Sequence, residues 1–235
     1  MIMITGDTHG ELWRFCEECM PGESTWTEDD VLIICGDFGF IWYDETDLVG
    51  YRCNEEALNT LSHKPYCILM LDGNHENFNR LYSYPEVECY GEVVHKIRDN
   101  IFHLERGRIY EIQGKTFFTF GGAYSVDKYL RQEDISWWRQ ELPCDEEYRL
   151  GAQSLKDAGF KVDYILTHTA PNELIRHLGF SPDPHDAELT GYLEWIMFET
   201  DFKHWYFGHF HIEKTINLPN GKQLRALFND VVVIE

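Results

Sequence analysis

The amino-acid sequence predicts an α/β protein, in the broad sense that includes α+β, with two β-sheets and flanking helices. Three observations support this prediction: short apolar runs recur along the chain, helix-like segments separate the early runs, and no Pro/Gly/Ser-rich linker divides them. With 235 residues, of which 43% are hydrophobic and 15% aromatic, the chain can bury a large core. We therefore expect residues 1–235 to form a single domain.

The predicted strands are short runs rich in Val, Ile, Leu, Tyr and Phe. The runs at 1–5, 31–35 and 66–71 are continuously apolar, which is expected for strands that are covered on both faces. Glycine-containing turns are predicted at 114–115 and 220–222. The full set of predicted strands is 1–5, 31–35, 66–71, 101–104, 108–112, 115–120, 162–167, 204–207 and 231–234.

Three segments of the chain are typical of helices. Residues 11–20 follow the first predicted strand, and residues 45–62 precede the third. Residues 145–159 end on Gly159, and glycine is common just beyond the end of a helix because it adopts left-handed backbone angles without strain. The first part of the chain therefore alternates strand and helix, whereas the second part is predicted to be mainly strands.

The charge of the chain limits its partners. The formal net charge is −21, and no basic stripe interrupts it. Such a surface repels polyanions, so we expect no long nucleic acid as partner. A small phosphorylated substrate could approach only where a local positive centre overrides this field.

The N-terminus and the apolar runs indicate where the protein is located, and the cysteine spacing indicates whether it has a structural zinc site. The apolar runs are far shorter than the roughly 20 residues that a membrane span requires, and the N-terminus does not resemble a signal peptide. We therefore expect a cytoplasmic protein without a membrane partner, whose seven cysteines are reduced. Cys16 and Cys19 have C-x-x-C spacing but no second pair at zinc-ribbon distance, which argues against a structural zinc site.

Polar side chains follow five of the predicted strands at the point where each strand ends. Ligands bind beyond the carboxyl ends of strands in open α/β sheets, and the neighbouring glycines allow close approach of the backbone. Asp, Asn and His offer oxygen and nitrogen ligands for divalent metals, and seven such ligands are too many for one tetrahedral ion. They suit two metals that share one carboxylate. The seven candidate ligands are Asp7, His9, Asp37, Asn74, His168, His209 and His211.

This ordered set resembles the calcineurin-like metallophosphoesterase superfamily. The pattern of that superfamily is D-x-H, G-D, G-N-H-[D/E], H and G-H-x-H, and every element occurs here in order between residues 7 and 211. The GGAYSVDK stretch at 121–128 is similar to segments of some small bacterial and phage-type members. The resemblance implies a four-layer α/β/β/α sandwich of two mixed β-sheets flanked by helices, with the site at one end of the packed sheets.

The resemblance also implies roles for the ligands. One metal would be bound by Asp7, His9, Asp37 and His211, and the other by Asp37, Asn74, His168 and His209, so that Asp37 bridges them. Two divalent ions are expected about 3.5–4 Å apart. Manganese is the expected metal, with iron or zinc as alternatives.

The reaction implied is hydrolysis of a phosphomonoester or phosphodiester by a hydroxide that bridges the two metals. By resemblance, His75 protonates the leaving oxygen or stabilises the transition state, and Glu76 orients His75. Lys128 and Arg131, in the loop after the strand at 115–120, are candidate substrate-binding residues. The remaining histidines are expected to be surface or packing residues. The segment Asp183-Pro184-His185-Asp186 is expected to be a Pro-rich loop that leads into a helix.

Two alternatives remain open from the sequence. The D-x-H and G-N-H-E segments also resemble Ser/Thr protein phosphatases, but the segment at 36–42 lacks the arginine that binds phosphate in that branch. The second alternative is a non-catalytic, metal-binding protein scaffold of the same fold. The physiological substrate, any protein partner and the oligomeric state cannot be read from the sequence.

Overall fold

The structure, a computed structural model, describes residues 1–219 and 221–234; Asn220, in the second predicted turn, lies outside the described residues. Thirteen strands form two sheets. They are β1 Ile2–Thr5, β2 Val31–Ile34, β3 Cys67–Met70, β4 Glu86–Cys89, β5 Glu92–Arg98, β6 Ile101–Leu104, β7 Arg108–Ile112, β8 Lys115–Phe120, β9 Tyr164–Thr167, β10 His204–Phe207, β11 Lys214–Asn217, β12 Gln223–Ala226 and β13 Val232–Ile234.

Both sheets are mixed. The first has the order β13-β1-β2-β3-β6-β5-β4, and its central strands β1, β2, β3 and β6 are parallel. The second has the order β11-β12-β10-β9-β8-β7, with β12, β10, β9 and β8 parallel. The edge strands of both sheets pair antiparallel. The α-helices are α1 Leu48–Ser62, α2 Phe78–Leu81, α3 Asp145–Asp157, α4 Asn172–Leu178 and α5 Ala187–Glu199.

Side-chain alternation along β1 shows how the layers are built. Ile2 and Ile4 belong to a buried cluster that also contains Tyr164 and Leu166 of the second sheet, so this cluster fills the space between the sheets. Met3 points to the opposite face and belongs to the cluster that contains residues of α1. A third cluster joins the outer face of the second sheet to α3, α4 and α5. The predicted four-layer α/β/β/α sandwich is confirmed.

The prediction of a helix at residues 11–20 is wrong. The segment contains only a 3₁₀ turn, Leu12–Arg14, followed by further turns. The reason lies in the Arg14 side chain, which is 2% exposed and donates hydrogen bonds to the main-chain oxygens of Asp7 and Phe228. This tertiary anchor fixes the segment against the loop after β1.

The second part of the chain holds more helix than the sequence indicates, because α4 lies within it, while α5 is the helix expected after the loop at 183–186. Strands β4, β5, β11 and β12 were also missed, since their sequences mix charged and apolar residues. The helices predicted at 45–62 and 145–159 are present as α1 and α3, and Gly159 adopts left-handed backbone angles just beyond α3. No helix among the described residues is long and apolar enough to cross a membrane.

Candidate metal centre

The candidate ligands lie in the loops that follow β1, β2, β3, β9 and β10. These strands run parallel within their sheets, so their carboxyl ends open towards one end of the sandwich. The structure brings together two groups of potential metal ligands, with the ligand atoms of each group within 4.8 Å of one another. The first group is Asp7, His9 and His211, and the second is Asp7, Asp37 and His168.

Four of the seven candidate ligands adopt left-handed backbone angles, which non-glycine residues rarely do. Such strain persists where the surrounding structure enforces it, and it is concentrated at functional sites. The loops are also closed by glycine: a Cβ on Gly208 would lie 2.0 Å from Oδ1 of Asp7. The strained ligands are His9 (φ 47°), Asp37 (φ 49°), His209 (φ 68°) and His211 (φ 49°).

The first group faces solvent. Nε2 of His9 and Nε2 of His211 lie 2.8 Å apart, and Nε2 of His211 is 3.1 Å from Oδ2 of Asp7. Asp7 is fully buried, and its carboxylate accepts a hydrogen bond from the main-chain N–H of His209 at 2.9 Å. The hydrogen bond of His211 to Asp7 raises the pKa of His211, despite its partial burial. Two imidazole nitrogens and a carboxylate oxygen therefore converge on one point.

The second group is buried around His168. Nδ1 of His168 donates to the main-chain oxygen of Cys35 at 2.9 Å, which leaves Nε2 free to bind a metal. Nε2 lies 3.3 Å from Oδ1 of Asp37 and 3.2 Å from Oδ1 of Asn74. The amide nitrogen of Asn74 donates to Ser125 Oγ, so its oxygen is the atom turned to the centre.

The electrostatic field at the second group is strongly negative. Burial alone would lower the pKa of His168, but Asp37 and then Asp7 raise it to about 10. Burial would likewise raise the pKa of Asp37, yet the attraction of His168 brings it well below its usual range. In contrast, burial and the neighbouring His168 lower the pKa of His209 to about 4 and favour its neutral, metal-binding form. The two buried carboxylates thus attract positive charge.

Asp37 extends between the two groups. Its Oδ1 is 3.3 Å from Nε2 of His168, and its Oδ2 is 3.9 Å from Nδ1 of His9. Oδ1 also accepts a hydrogen bond from the main-chain N–H of His75 at 2.8 Å. One carboxylate is therefore oriented towards both groups, as a bridging ligand must be.

His75 lies beside the first group and is held by three side chains. Its ring is stacked on Trp42, with centroids 5.7 Å apart, and meets the His9 ring edge-on at 5.3 Å. Nη2 of Arg131 is 3.5 Å from Nε2 of His75, and the same nitrogen is paired with Asp127 at 2.8 Å. Burial is the main reason that the pKa of His75 is lowered.

Two predicted site residues lie elsewhere than expected. Glu76 is fully buried, and its Oε1 accepts hydrogen bonds from the main-chain N–H groups of Phe38 and Gly39. It thus supports the turn after Asp37, and among the described residues it makes no hydrogen bond to His75. Nζ of Lys128 lies over the rings of Tyr124 and Trp137, at 4.3 and 4.9 Å. Arg131, by contrast, reaches the centre.

Sequence reasoning missed Trp42 as a site residue. A cavity of about 300 Å³ lies next to His75 and is lined by His9, Trp42, Tyr43 and Asn54, among others. The signal in the sequence was the position of Trp42, five residues after Asp37 in a loop that follows a ligand strand. Trp138 is fully buried and packs edge-on against Trp42.

Comparison with known proteins gives one family match and distant structural neighbours. The family model described as "Calcineurin-like phosphoesterase" matches residues 1–213. The phosphopantetheinyl hydrolase PptH from Mycobacterium tuberculosis is 13% identical, with a TM-score of 0.50, over 97% of this chain and 89% of that chain. TT1561 of Thermus thermophilus is 14% identical, with a TM-score of 0.49, over 96% of this chain and 87% of that chain. At 13% identity, the similarity to PptH concerns the fold alone. No curated protein sequence matches this chain.

Proposed function

Because the chain belongs to the calcineurin-like phosphoesterase family, a family of metal-dependent phosphoester hydrolases, we propose that it is a dinuclear enzyme that hydrolyses small phosphomonoesters or phosphodiesters. The observation that carries this proposal is the position of Asp37, with one carboxylate oxygen 3.3 Å from His168 and the other 3.9 Å from His9. A single buried carboxylate that faces two histidine groups suits two metals better than one.

The ligand sets follow from these contacts. Asp7, His9, Asp37 and His211 would hold one ion, and Asp37, Asn74, His168 and His209 the other. The fit is supported by the free Nε2 of His168, by the 2.8 Å approach of the His9 and His211 nitrogens, and by the orientation of the Asn74 oxygen. Mixed nitrogen and oxygen ligation suits manganese, iron or zinc, of which manganese is our first choice. When bound, the ions supply an activated water and stabilise charge on the phosphoryl oxygens.

The residues around the centre would bind and orient the substrate. Arg131, fixed by Asp127, would bind a phosphoryl oxygen. Its contact with Nε2 of His75 favours a neutral ring with the proton on Nδ1, and this N–H would donate a hydrogen bond to the leaving oxygen and stabilise the transition state. Trp42 would hold the His75 ring and border the cavity for the leaving group. Glu76 would position the turn that carries Asp37, and Lys128 would order the loop of Arg131 through its aromatic contacts.

Two substitutions test the proposal. We expect Asp37→Asn to lose both bound metal and hydrolysis, because the carboxylate shared by the two ions is removed. We expect His75→Ala to retain metal and lose about 10²–10³-fold in turnover, the usual cost of removing one hydrogen bond to the transition state. His63→Ala, at an exposed histidine in the C-terminal turn of α1, is the matched control and should equal the unaltered protein.

The measurements are metal content by mass spectrometry and hydrolysis of para-nitrophenyl phosphate and bis-para-nitrophenyl phosphate. An active Asp37→Asn protein would contradict the shared ligand. A metal-loaded protein that hydrolyses neither ester would favour the scaffold alternative. The ratio of the two rates would separate a monoesterase from a diesterase.

A further inference from the structure

A third group of potential metal ligands lies at the β4 edge of the first sheet and shares no residue with the candidate metal centre. Glu86, His95 and Glu105 each offer one ligand atom, and these atoms lie within 4.8 Å of one another. We call these three residues the β-edge group.

Strand register places the β-edge group on one face of the sheet. Glu86 of β4 is the direct partner of His95 of β5, and His95 is the direct partner of His103 of β6. Directly opposed side chains on paired strands have Cβ atoms roughly 4.5–5.5 Å apart. Glu105 follows His103 by two residues, and side chains two apart in extended backbone share a face. Three chain segments thus contribute to one row.

The row borders a cavity of about 320 Å³. Glu86, His95, His103 and Glu105 all line it. Tyr82 covers His95, with the two rings stacked at a centroid distance of 5.5 Å. The space is large enough for a hydrated ion, and its walls supply nitrogen and oxygen ligands.

Hydrogen bonding fixes the proton of His95. Asp72, paired with the buried Arg106, accepts from Nε2 of His103 at 3.1 Å. A neutral His103 then has a lone pair on Nδ1, which lies 3.1 Å from Nδ1 of His95. His95 therefore donates from Nδ1, which leaves a lone pair on its Nε2.

His95 is only 6% exposed, and its Nε2 has no hydrogen-bond partner in the described part of the chain. Nε2 is not completely buried, so an ion in the adjoining cavity can reach its lone pair. The chain His95–His103–Asp72 matches the arrangement in which a metal-binding imidazole donates its other N–H to an outer partner.

The carboxylates of Glu86 and Glu105 each have at least one oxygen that makes no hydrogen bond with a described residue. Oε2 of Glu105 binds Arg108 at 2.7 Å, while Oε1 lies 3.9 Å from Nδ1 of His95, too far for a hydrogen bond. The side chain of Glu86 is exposed and makes no hydrogen bond or ion pair with any described residue. Glu86 brings a negative charge that no ion pair among the described residues offsets, whereas Glu105 shares its charge with Arg108 and offers its second oxygen as a ligand.

We propose that Glu86, His95 and Glu105 form a separate binding site for a single divalent transition-metal ion of the zinc class, with water completing its coordination. Zn–N and Zn–O distances of about 2.0–2.2 Å require ligand atoms roughly 3.3 Å apart in a tetrahedral site. The ligand atoms now lie within 4.8 Å of one another, so binding would require the Glu86 and Glu105 carboxylates to rotate towards His95. The negative net charge of −21 further favours cation uptake.

The test measures zinc stoichiometry in the full chain. Protein freed of metal by a chelator is dialysed to equilibrium against micromolar Zn²⁺, and bound zinc is determined by mass spectrometry. The site variants are Glu86→Gln and His95→Gln, and the matched control is Glu88→Gln, at an exposed glutamate of the same strand that does not line the cavity. Cobalt(II) absorption provides a second readout of tetrahedral coordination.

We expect each site variant to bind one zinc equivalent fewer than the unaltered protein, and the control to bind the same number. The Co²⁺ band of the site should be lost in parallel. Since Glu86 is exposed, Glu86→Gln leaves folding intact even if His95→Gln does not. Equal zinc binding by the unaltered protein and Glu86→Gln would overturn the inference.

The same comparison in an Asp37→Asn background separates this site from the candidate metal centre. There we expect one zinc equivalent to persist and to disappear when Glu86→Gln is added. Persistence of that equivalent in the double variant would contradict the β-edge site, whatever the fate of the catalytic proposal.

Discussion

The candidate metal centre and the β-edge group use similar side chains on different backbones. A close pair of histidine nitrogens occurs at each. At the centre, 2.8 Å separates His9 from His211, and at the β-edge group 3.1 Å separates His95 from the neighbouring His103. The centre draws its ligands from residues 7 to 211, in loops that contain left-handed residues. The β-edge group lies within residues 86 to 105, on strands and just beyond one.

This difference shows how a site becomes visible in a sequence. A site built on strained loops needs glycines next to its ligands, and those pairs recur as recognisable motifs. A site built on regular strands needs only the right register, which leaves no local mark. The first site was predicted from the sequence, whereas the second required the pairing of three strands.

The largest expected effect comes from Gly208→Ala, which breaks the loop-built centre alone. The added Cβ would lie 2.0 Å from Oδ1 of Asp7 and 2.8 Å from the main-chain oxygen of Cys35. Because neither the buried carboxylate nor the main chain can move away easily, we expect hydrolysis to fall about 10²-fold or more. Steady-state kinetics and metal content measure this.

Gly191→Ala in α5 is the control, since its Cβ would meet nothing closer than 4.0 Å. Zinc binding by the β-edge group should survive in both variants. Full activity of Gly208→Ala would show that the centre tolerates displacement of Asp7.

The next effect concerns the ion pair behind the β-edge group. Arg106, 3% exposed, donates to Asp72 through Nε at 2.9 Å, and Asp72 in turn accepts from His103. Burial would raise the pKa of Asp72, but Arg106 lowers it to about 2. Arg106→Met leaves this buried carboxylate with its hydrogen bond from His103 but without its ion-pair partner, so we expect a loss of about 3–5 kcal/mol in the free energy of unfolding.

Urea unfolding at pH 7 measures that loss. The matched control is Arg149→Met, whose pair with Glu146 is exposed and screened by solvent, so its removal should change the free energy of unfolding far less. Similar losses in the two variants would show that the Asp72–Arg106 pair is not the support that its burial indicates.

The smallest effect tests a buried carboxylate outside both groups. Burial, and then the charge of Asp183, raise the pKa of Asp186 to about 6. Oδ1 of Asp186 has no hydrogen-bond partner within the residues that the structure describes. Its pKa in the folded state exceeds that in the unfolded state, so stability is lost as pH rises from about 4 to 6.

We therefore expect Asp186→Asn to raise the free energy of unfolding by about 1–3 kcal/mol at pH 7. At pH 4 the two proteins should be equally stable, because the carboxyl is then protonated when folded. Thermal unfolding at both pH values checks this. A gain that persists at pH 4 would assign the effect to packing and not to charge, and hydrolysis should be unchanged throughout.

Much of the fold was accessible from the sequence. Strands β6, β7, β8 and β10 have the predicted bounds, because each is a short β-branched or aromatic run between clear turns. The family resemblance and the layered sandwich are confirmed, while the single domain and the cytoplasmic location stay predictions. The helix at 11–20 failed because the buried contacts of Arg14, made with residues distant in the chain, override local propensity.

The candidate metal centre was also predictable from the sequence only in part. The sequence by itself indicated the candidate ligands and their order, because the strand–glycine–ligand pattern is local. It could not show that Glu76 turns to the main chain of Phe38, that Trp42 stacks on His75, or that Lys128 lies among aromatic rings. Those outcomes depend on packing between segments far apart in the chain.

Strand register was likewise decided only by the tertiary structure. A shift of one residue in the pairing of β5 would turn His95 to the other face and separate it from Glu86 and His103. Local sequence specifies side-chain chemistry and backbone preference. Which side chains meet depends on the burial and hydrogen bonding of the whole sheet. For this reason the motifs could be recognised in the sequence, whereas the β-edge group could be found only in the structure.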